Sequence, residues 1–220
     1  MVWESFKLSI LVVTAATIVN ATLGIALGLL FAKGRFFGRE LLASFFTLPL
    51  VLPPTVTGFF LIVMFGRHGL IGAPIYELTG WTVAFTWQAA VIAAVVLALP
   101  LMVLSARAAI ESINPQYEIA SYTLGKSHLA TFFLITLPLA RRGILAGIVL
   151  SFTRALGEFG ATFMLEGNIP GKTQTMPLAI YEAVISGDNK QAQVLALILT
   201  GVSVAAVYLT AKLTKGALRY

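Results

Sequence analysis

The 220-residue sequence contains no cysteine. That removes disulfides, thiolate metal ligands and a cysteine nucleophile from consideration. Charge is scarce too: 11% of residues are charged and 58% are hydrophobic. An ordinary soluble domain carries about 25% charged and about 45–50% apolar residues. A soluble fold of this length could not cover its surface with so few charges, and a disordered chain needs the opposite composition. There is no Ser/Gly linker, low-complexity stretch or internal repeat. The composition is that of an integral membrane protein with a single domain, residues 1–220. The net charge of +6 is scattered, not gathered into a stripe, so no nucleic-acid partner is expected. Topology is the better explanation of it.

A membrane-crossing helix needs about 20 predominantly apolar residues. Runs at 8–32, 41–66, 82–106 and 191–211 meet that length. A fifth, 143–165, is apolar except for Arg154 and Glu158, which are four apart and can neutralise each other. The sequence therefore predicts an all-α polytopic protein with five spans. The first run is too long for a signal-peptide core and lacks a basic start. The stretch Leu129 to Ala140 is too short to span and reads as interfacial or as a lead-in to the fourth span. Pro49, Pro53 and Pro54 predict a kinked or unwound second span. The break is either a packing kink or the lining of a pathway. Gly24/Gly28 and Gly143/Gly147 have the spacing that lets helices approach closely, with packing as the first reading and a dimer face as the second.

Five spans put the termini on opposite sides. Lys33, Arg35, Arg39, Arg107, Lys126, Arg141, Arg142, Lys212, Lys215 and Arg219 fall on one side; only Lys7, Arg67, Lys172 and Lys190 fall on the other. The positive-inside rule makes the first side cytoplasmic, with the N-terminus outside and the C-terminus inside. His68 and His128 then lie on opposite sides, neither has carboxylates at ligand spacing, and no metal site or cofactor is expected.

This topology leaves a cytoplasmic segment, 107–142, too long for a simple connection. Asn114-Pro115 is a helix start, with Asn as cap and Pro at the first position. Tyr117, Ala120 and Leu124 share one face. Gly125 then ends or bends the helix, and a second helix runs from Ser127 or His128 toward Pro138. Such an element makes a compact knob for the groove of a partner.

The pattern of Gly125, nine residues, then Ile135, any residue, Leu137 and Pro138 resembles the EAA loop of ATP-binding cassette importer permeases. Ala120 matches the central alanine of that loop. Ile119 and Ser121 depart from it, and Glu118 sits one place before the usual glutamate. The runs Leu48 to Gly58, Arg154 to Thr162 and Gly167 to Tyr181 are similar to those of molybdate-type permeases in this family. The resemblance implies a type I importer transmembrane domain in the bacterial cytoplasmic membrane. It implies a homodimer of permease subunits, a dimer of cytoplasmic ATP-binding subunits and an external oxyanion-binding protein. Glu118, Ala120, Leu124, Gly125, Ile135, Leu137 and Pro138 would form the ATPase-coupling loop.

Pro53, Pro54, Thr55, Thr57, Arg154 and Glu158 are the candidates for the translocation pathway. Arg154 and Glu158 are either a structural pair or a source of positive potential for an anion. The run Gly167 to Thr173 lacks the spacing of a phosphate-binding loop. With no nucleotide motif and no catalytic constellation in the spans, the chain is not expected to be an enzyme, and ATP would be hydrolysed by a partner. Sulfate or tungstate transport within the same family is the alternative. An ion-coupled secondary transporter is disfavoured because only one span is broken and no repeated halves are visible.

Overall fold

The computed structural model describes residues 2–215, which contain helices and no strand. Met1 and residues 216–220, among them Arg219 of the basic tail, lie outside the described residues. Three elements cross as single helices: α1 (Val2–Lys33), α5 (Trp87–Glu111) and α11 (Asn189–Lys215). A fourth crossing, His128–Leu156, is continuous but composite. It consists of α7 (His128–Thr131), a π-helical turn (Phe132–Thr136) and α8 (Leu137–Leu156).

Beside these four lies a bent apolar pair. The helices α2 (Arg39–Val51) and α3 (Pro54–Phe65) meet at a bend of 115°. Leu52 and Pro53 each precede a proline and are both extended, with ψ of 141° and 138°, as proline requires of the residue before it. Pro54 then opens α3 at a position where its missing N–H costs nothing. Despite the bend, the pair covers the length of α5. Ala43 of α2 packs with Leu99 and Val103, whereas Leu61 of α3 packs with Ala89, Ala93 and Leu97. Short helices α4 (Gly72–Thr79), α6 (Pro115–Thr123), α9 (Gly160–Glu166) and α10 (Met176–Ile185) complete the chain.

At the centre is α5, whose Ala89, Ala90, Ala93, Ala94, Ala98 and Ala106 are wholly buried. Small side chains let the neighbouring helices close on both flanks, which is how membrane helices gain packing energy without a hydrophobic drive between them. On one flank, a Cβ added at Gly28 of α1 would stand 2.6 Å from Ala106, and one at Gly24 would collide with Met102. On the other, a Cβ at Gly147 of α8 would stand 2.7 Å from Ser105, and one at Gly143 would collide with Ala109. Both glycine pairs therefore serve packing within the chain. Asn20 of α1 donates to Ser151 of α8 at 3.0 Å, a buried polar tie between the two flanking helices.

The fourth crossing departs from the expected 143–165. The helix begins near His128 and stops at Leu156, and Gly157 to Phe159 separate it from α9. The stretch Leu129 to Ala140 is its lead-in. Pro138 has no N–H to give, and the π turn just ahead of it has already moved the hydrogen-bond ladder by one residue: the Leu137 N–H reaches Phe132 O. At the other end Glu158 turns back, and its Oε1 accepts from the Ala161 N–H at 2.8 Å, capping α9.

Candidate functional site

The candidate residues fall into two loci. Pro138 to Arg154 is 16 residues of one helix, about 24 Å at 1.5 Å per residue. The first locus is the segment 115–138. Asn114 caps α6, its side chain accepting from the Gln116 N–H at 3.0 Å, and Pro115 is the first helical residue. Gly125 ends α6 with φ of +76°. Its N–H reaches Tyr122 O and the Lys126 N–H reaches Ser121 O. This pair of bonds is the Schellman closure, which needs a residue in the left-handed region. Ser127 caps the next helix by accepting from the Ala130 N–H, and the Ser121 and Thr131 hydroxyls join the two helices at 2.8 Å.

One face of α6 is free. Tyr117, Ile119, Ala120 and Leu124 are exposed, Leu124 at 79%. Ile135 and Leu137 are half-buried, and Pro138 is exposed. Glu118 faces the other way. Its Oε2 accepts from Lys33 Nζ at 2.7 Å and its Oε1 from the Thr136 hydroxyl at 2.7 Å. Burial acts to raise the Glu118 carboxyl, but the Lys33 and Thr136 bonds outweigh it and hold the carboxyl below the usual carboxylate range. Sequence reading missed Lys33 and Thr136 as partners. Nothing local signals Lys33, 85 residues away along the chain.

The second locus is where the two breaks in the bundle meet. Gly160, at the start of α9, lies against Pro54 and Thr55 at the start of α3; a Cβ added to it would be 2.9 Å from the Pro54 side chain. A Cβ at Gly58 would be 2.9 Å from the Ala161 backbone. These two glycines let the short helices touch at their backbones. Pro53, Pro54 and Thr55 are exposed. Thr57 is only 5% exposed, and its hydroxyl has no hydrogen-bond partner among the described residues. Arg154 Nη1 donates to Glu158 Oε2 at 2.7 Å, with side chains 28% and 2% exposed. Glu158 thus has both oxygens engaged, while the Arg154 side chain stays 28% exposed. A carboxylate neutralises most of the arginine charge, so the arrangement suits a weak, reversible contact with an anion over a tight site.

At the end opposite α6, a buried polar layer escaped the sequence reading. Glu182 Oε2 accepts from the side-chain amides of Asn168 and Gln174, each at 2.6 Å. Ser5 donates to Gln174 at 3.3 Å, and the Met176 N–H donates to Ser9 Oγ at 2.7 Å. These bonds fasten α10 to α1. The helix α10 itself has Met176, Leu178, Ala179 and Ala183 buried.

Comparison with known proteins places this geometry. A family model described as binding-protein-dependent transport system inner membrane component matches residues 24–216. A putative molybdenum transport system permease protein, YvgM of Bacillus subtilis, is 50% identical over 83% of this chain and 80% of its own length. The molybdenum transport system permease protein ModB of Escherichia coli K12 is 45% identical over the same shares. A sulfate transport system permease protein, CysW of Synechococcus elongatus, is 33% identical over 96% of this chain and 73% of its own. Among solved structures, an inward-facing MetNI methionine ABC transporter chain aligns with a TM-score of 0.69 at 14% identity, covering 99% of this chain and 94% of that one. A chain of a bacterial ABC transporter that imports alginate aligns at 0.77 and 14% identity, covering 98% and 79%. At such identity these two speak for the fold alone, that of a type I importer transmembrane domain. The chain is a multi-pass membrane protein and belongs to the family of binding-protein-dependent transport system inner membrane components.

Proposed function

We propose that this chain is the membrane permease subunit of an ATP-driven molybdate importer. The observation that carries the reading is the 50% and 45% identity to molybdenum permeases over 83% of the chain. Two copies pair, with the pathway between them. An external oxyanion-binding protein delivers the anion to the side that holds the N-terminus. Two cytoplasmic ATPase subunits dock on the segment 115–138, where Ala120, Leu124 and Gly125 shape the exposed knob and Ile135, Leu137 and Pro138 join it to α8. Closure of the ATPase pair on ATP moves these knobs, and rigid-body motion of the helices exposes the pathway to alternate sides. Pro53, Pro54, Thr55, Thr57, Arg154 and Glu158 line that pathway. The broken backbone supports this placement, since unwound segments at membrane depth persist only where protein or a cavity satisfies them.

Sulfate transport is the second reading, supported by the 33% identity to a sulfate permease over 96% of the chain. Both cargoes are tetrahedral dianions. The test is reconstitution of the chain in vesicles with its ATPase and binding protein, followed by uptake of labelled molybdate and sulfate. We expect molybdate uptake that requires ATP and both partners, with sulfate competing poorly. Uptake without ATP would overturn the importer, and preferential sulfate uptake would overturn the cargo.

A further inference from the structure

We infer that Glu118 is a positioning residue that latches the coupling element to the cytoplasmic end of α1, so that displacement of α6 is carried into α1 as well as into α8. The inference rests on the reading of segment 115–138 as the ATPase-docking element.

Three observations carry it. The first is direction. On a helix, one residue of offset turns a side chain by about 100°. Ile119, in the position where the family pattern has glutamate, is 57% exposed on the free face. Glu118, one place earlier, is turned toward the bundle, where its side chain is 12% exposed. The acidic group has therefore left the docking face and entered an internal contact.

The second is connectivity. Both Glu118 oxygens are engaged, one by Lys33 at the last residue of α1 and one by Thr136 at the last residue of the π turn. Within α6 only Ser121 is buried, and its bond to Thr131 stays inside the coupling element. Between α6 and the end of α1 lies a cleft of about 520 Å³, lined also by Leu29, Arg35, Tyr122 and His128. Lys33 and Glu118 both line that cleft, and their bond joins α1 to α6 beside it. The third is leverage. α1 is seated on α5 through Gly24 and Gly28 with no slack for a Cβ, so a pull on Lys33 moves α1 and α5 together.

The latch is also breakable. Lys33 is 35% exposed, and an ion pair beside an open cleft is screened by salt. It can open and re-form in each cycle where a dry pair could not.

The experiment uses the assembled permease, ATPase and binding protein in vesicles, with Lys33→Ala, Glu118→Gln, Lys33→Arg and the exchange Lys33→Glu/Glu118→Lys. Three quantities are read: ATPase co-purification, ATP hydrolysis stimulated by the binding protein, and anion taken up per ATP. We expect co-purification unchanged throughout. Uptake per ATP falls about fivefold or more in Lys33→Ala and Glu118→Gln, the size of a modest coupling energy. Lys33→Arg holds near wild type, and the exchange recovers at least half of the loss. Wild-type uptake per ATP in Lys33→Ala overturns the latch. Loss of co-purification in Glu118→Gln also overturns it, by placing Glu118 in the docking interface. Failure of the wild-type chain to co-purify with the ATPase would sink the docking reading instead, which keeps the two apart.

Discussion

The bundle is built in two ways. Around α5, the helices α1 and α8 run uninterrupted and touch flank to flank through Gly24, Gly28, Gly143 and Gly147. On its other side, α3 and α9 are short, begin inside the bundle and touch near their starts through Gly58 and Gly160. The same residue type serves both regions, but for different ends. In the first, glycine removes the side chain between two continuous hydrogen-bonded ladders, and the result is a rigid core. In the second, it brings together two helix beginnings whose first N–H groups have no ladder partner, and the result is a locus where polar groups are tolerated at depth. Polar groups occur in both regions, as the Asn20–Ser151 tie between α1 and α8 shows, but only the second region interrupts the helices.

The largest expected effect lies in the first region. Gly28→Leu pushes a side chain into Ala106 and the Arg107 backbone and should cost about 1–3 kcal/mol or more, as overpacking of a tight contact does. Gly201→Leu, at a position with open space, is the control. Thermal unfolding in detergent is the measurement, and equal melting temperatures for the two variants would break the contrast.

Next comes the ion pair of the second region. Arg154→Met leaves Glu158, 2% exposed, with the Ala161 N–H but no cation. Breaking a buried pair costs about 3–5 kcal/mol, and the partial exposure of Arg154 lowers the expectation to about 1–3 kcal/mol. Adding Glu158→Gln should recover most of that stability without recovering uptake. Recovery of both would make the pair purely structural.

The smallest effect on stability is expected for Thr57→Val. It removes a buried hydroxyl that has no partner among the described residues, a change that is nearly neutral when no bond is lost, within about 1 kcal/mol. Uptake should nevertheless fall several-fold. Uptake at the wild-type rate would take Thr57 out of the pathway.

What could be read from the sequence follows the same division. The uninterrupted helices announce themselves as apolar runs, and the glycine spacing that seats them is visible without a structure. The proline break at 49–54 was visible as a break, though not its angle. The end of the fourth crossing was not visible, because Gly157 to Phe159 interrupts the helix while its one charge, Glu158, reads as the partner of Arg154 and lets the run extend to Leu165. Its beginning was hidden for the opposite reason: a π turn carries helix past Pro138, where proline usually signals a stop. The helix, turn and helix of segment 115–138 were legible from Asn114, Gly125 and the pattern ending at Pro138, because each acts on its own backbone. The partners of Glu118 were not, since tertiary folding alone brings Lys33 and Thr136 to it.

The π turn at Phe132–Thr136 has a further consequence, in the arithmetic of insertions and deletions. Such a turn holds one residue more than the α-helix would need. Deleting any one residue from it would let the helix relax to regular α geometry. The surplus would vanish within the turn and the α6 side would keep its bearing on α8, whereas deleting one residue from the regular helix of α8 would rotate everything on the α6 side by about 100° and shift it by about 1.5 Å relative to the rest of α8. Glu118 would lose Lys33 while its own helix stayed intact. The bearing of segment 115–131 on α8 is therefore stored in the residue count of the regular helix, and the π turn is a place along it where one residue can be removed with that bearing kept.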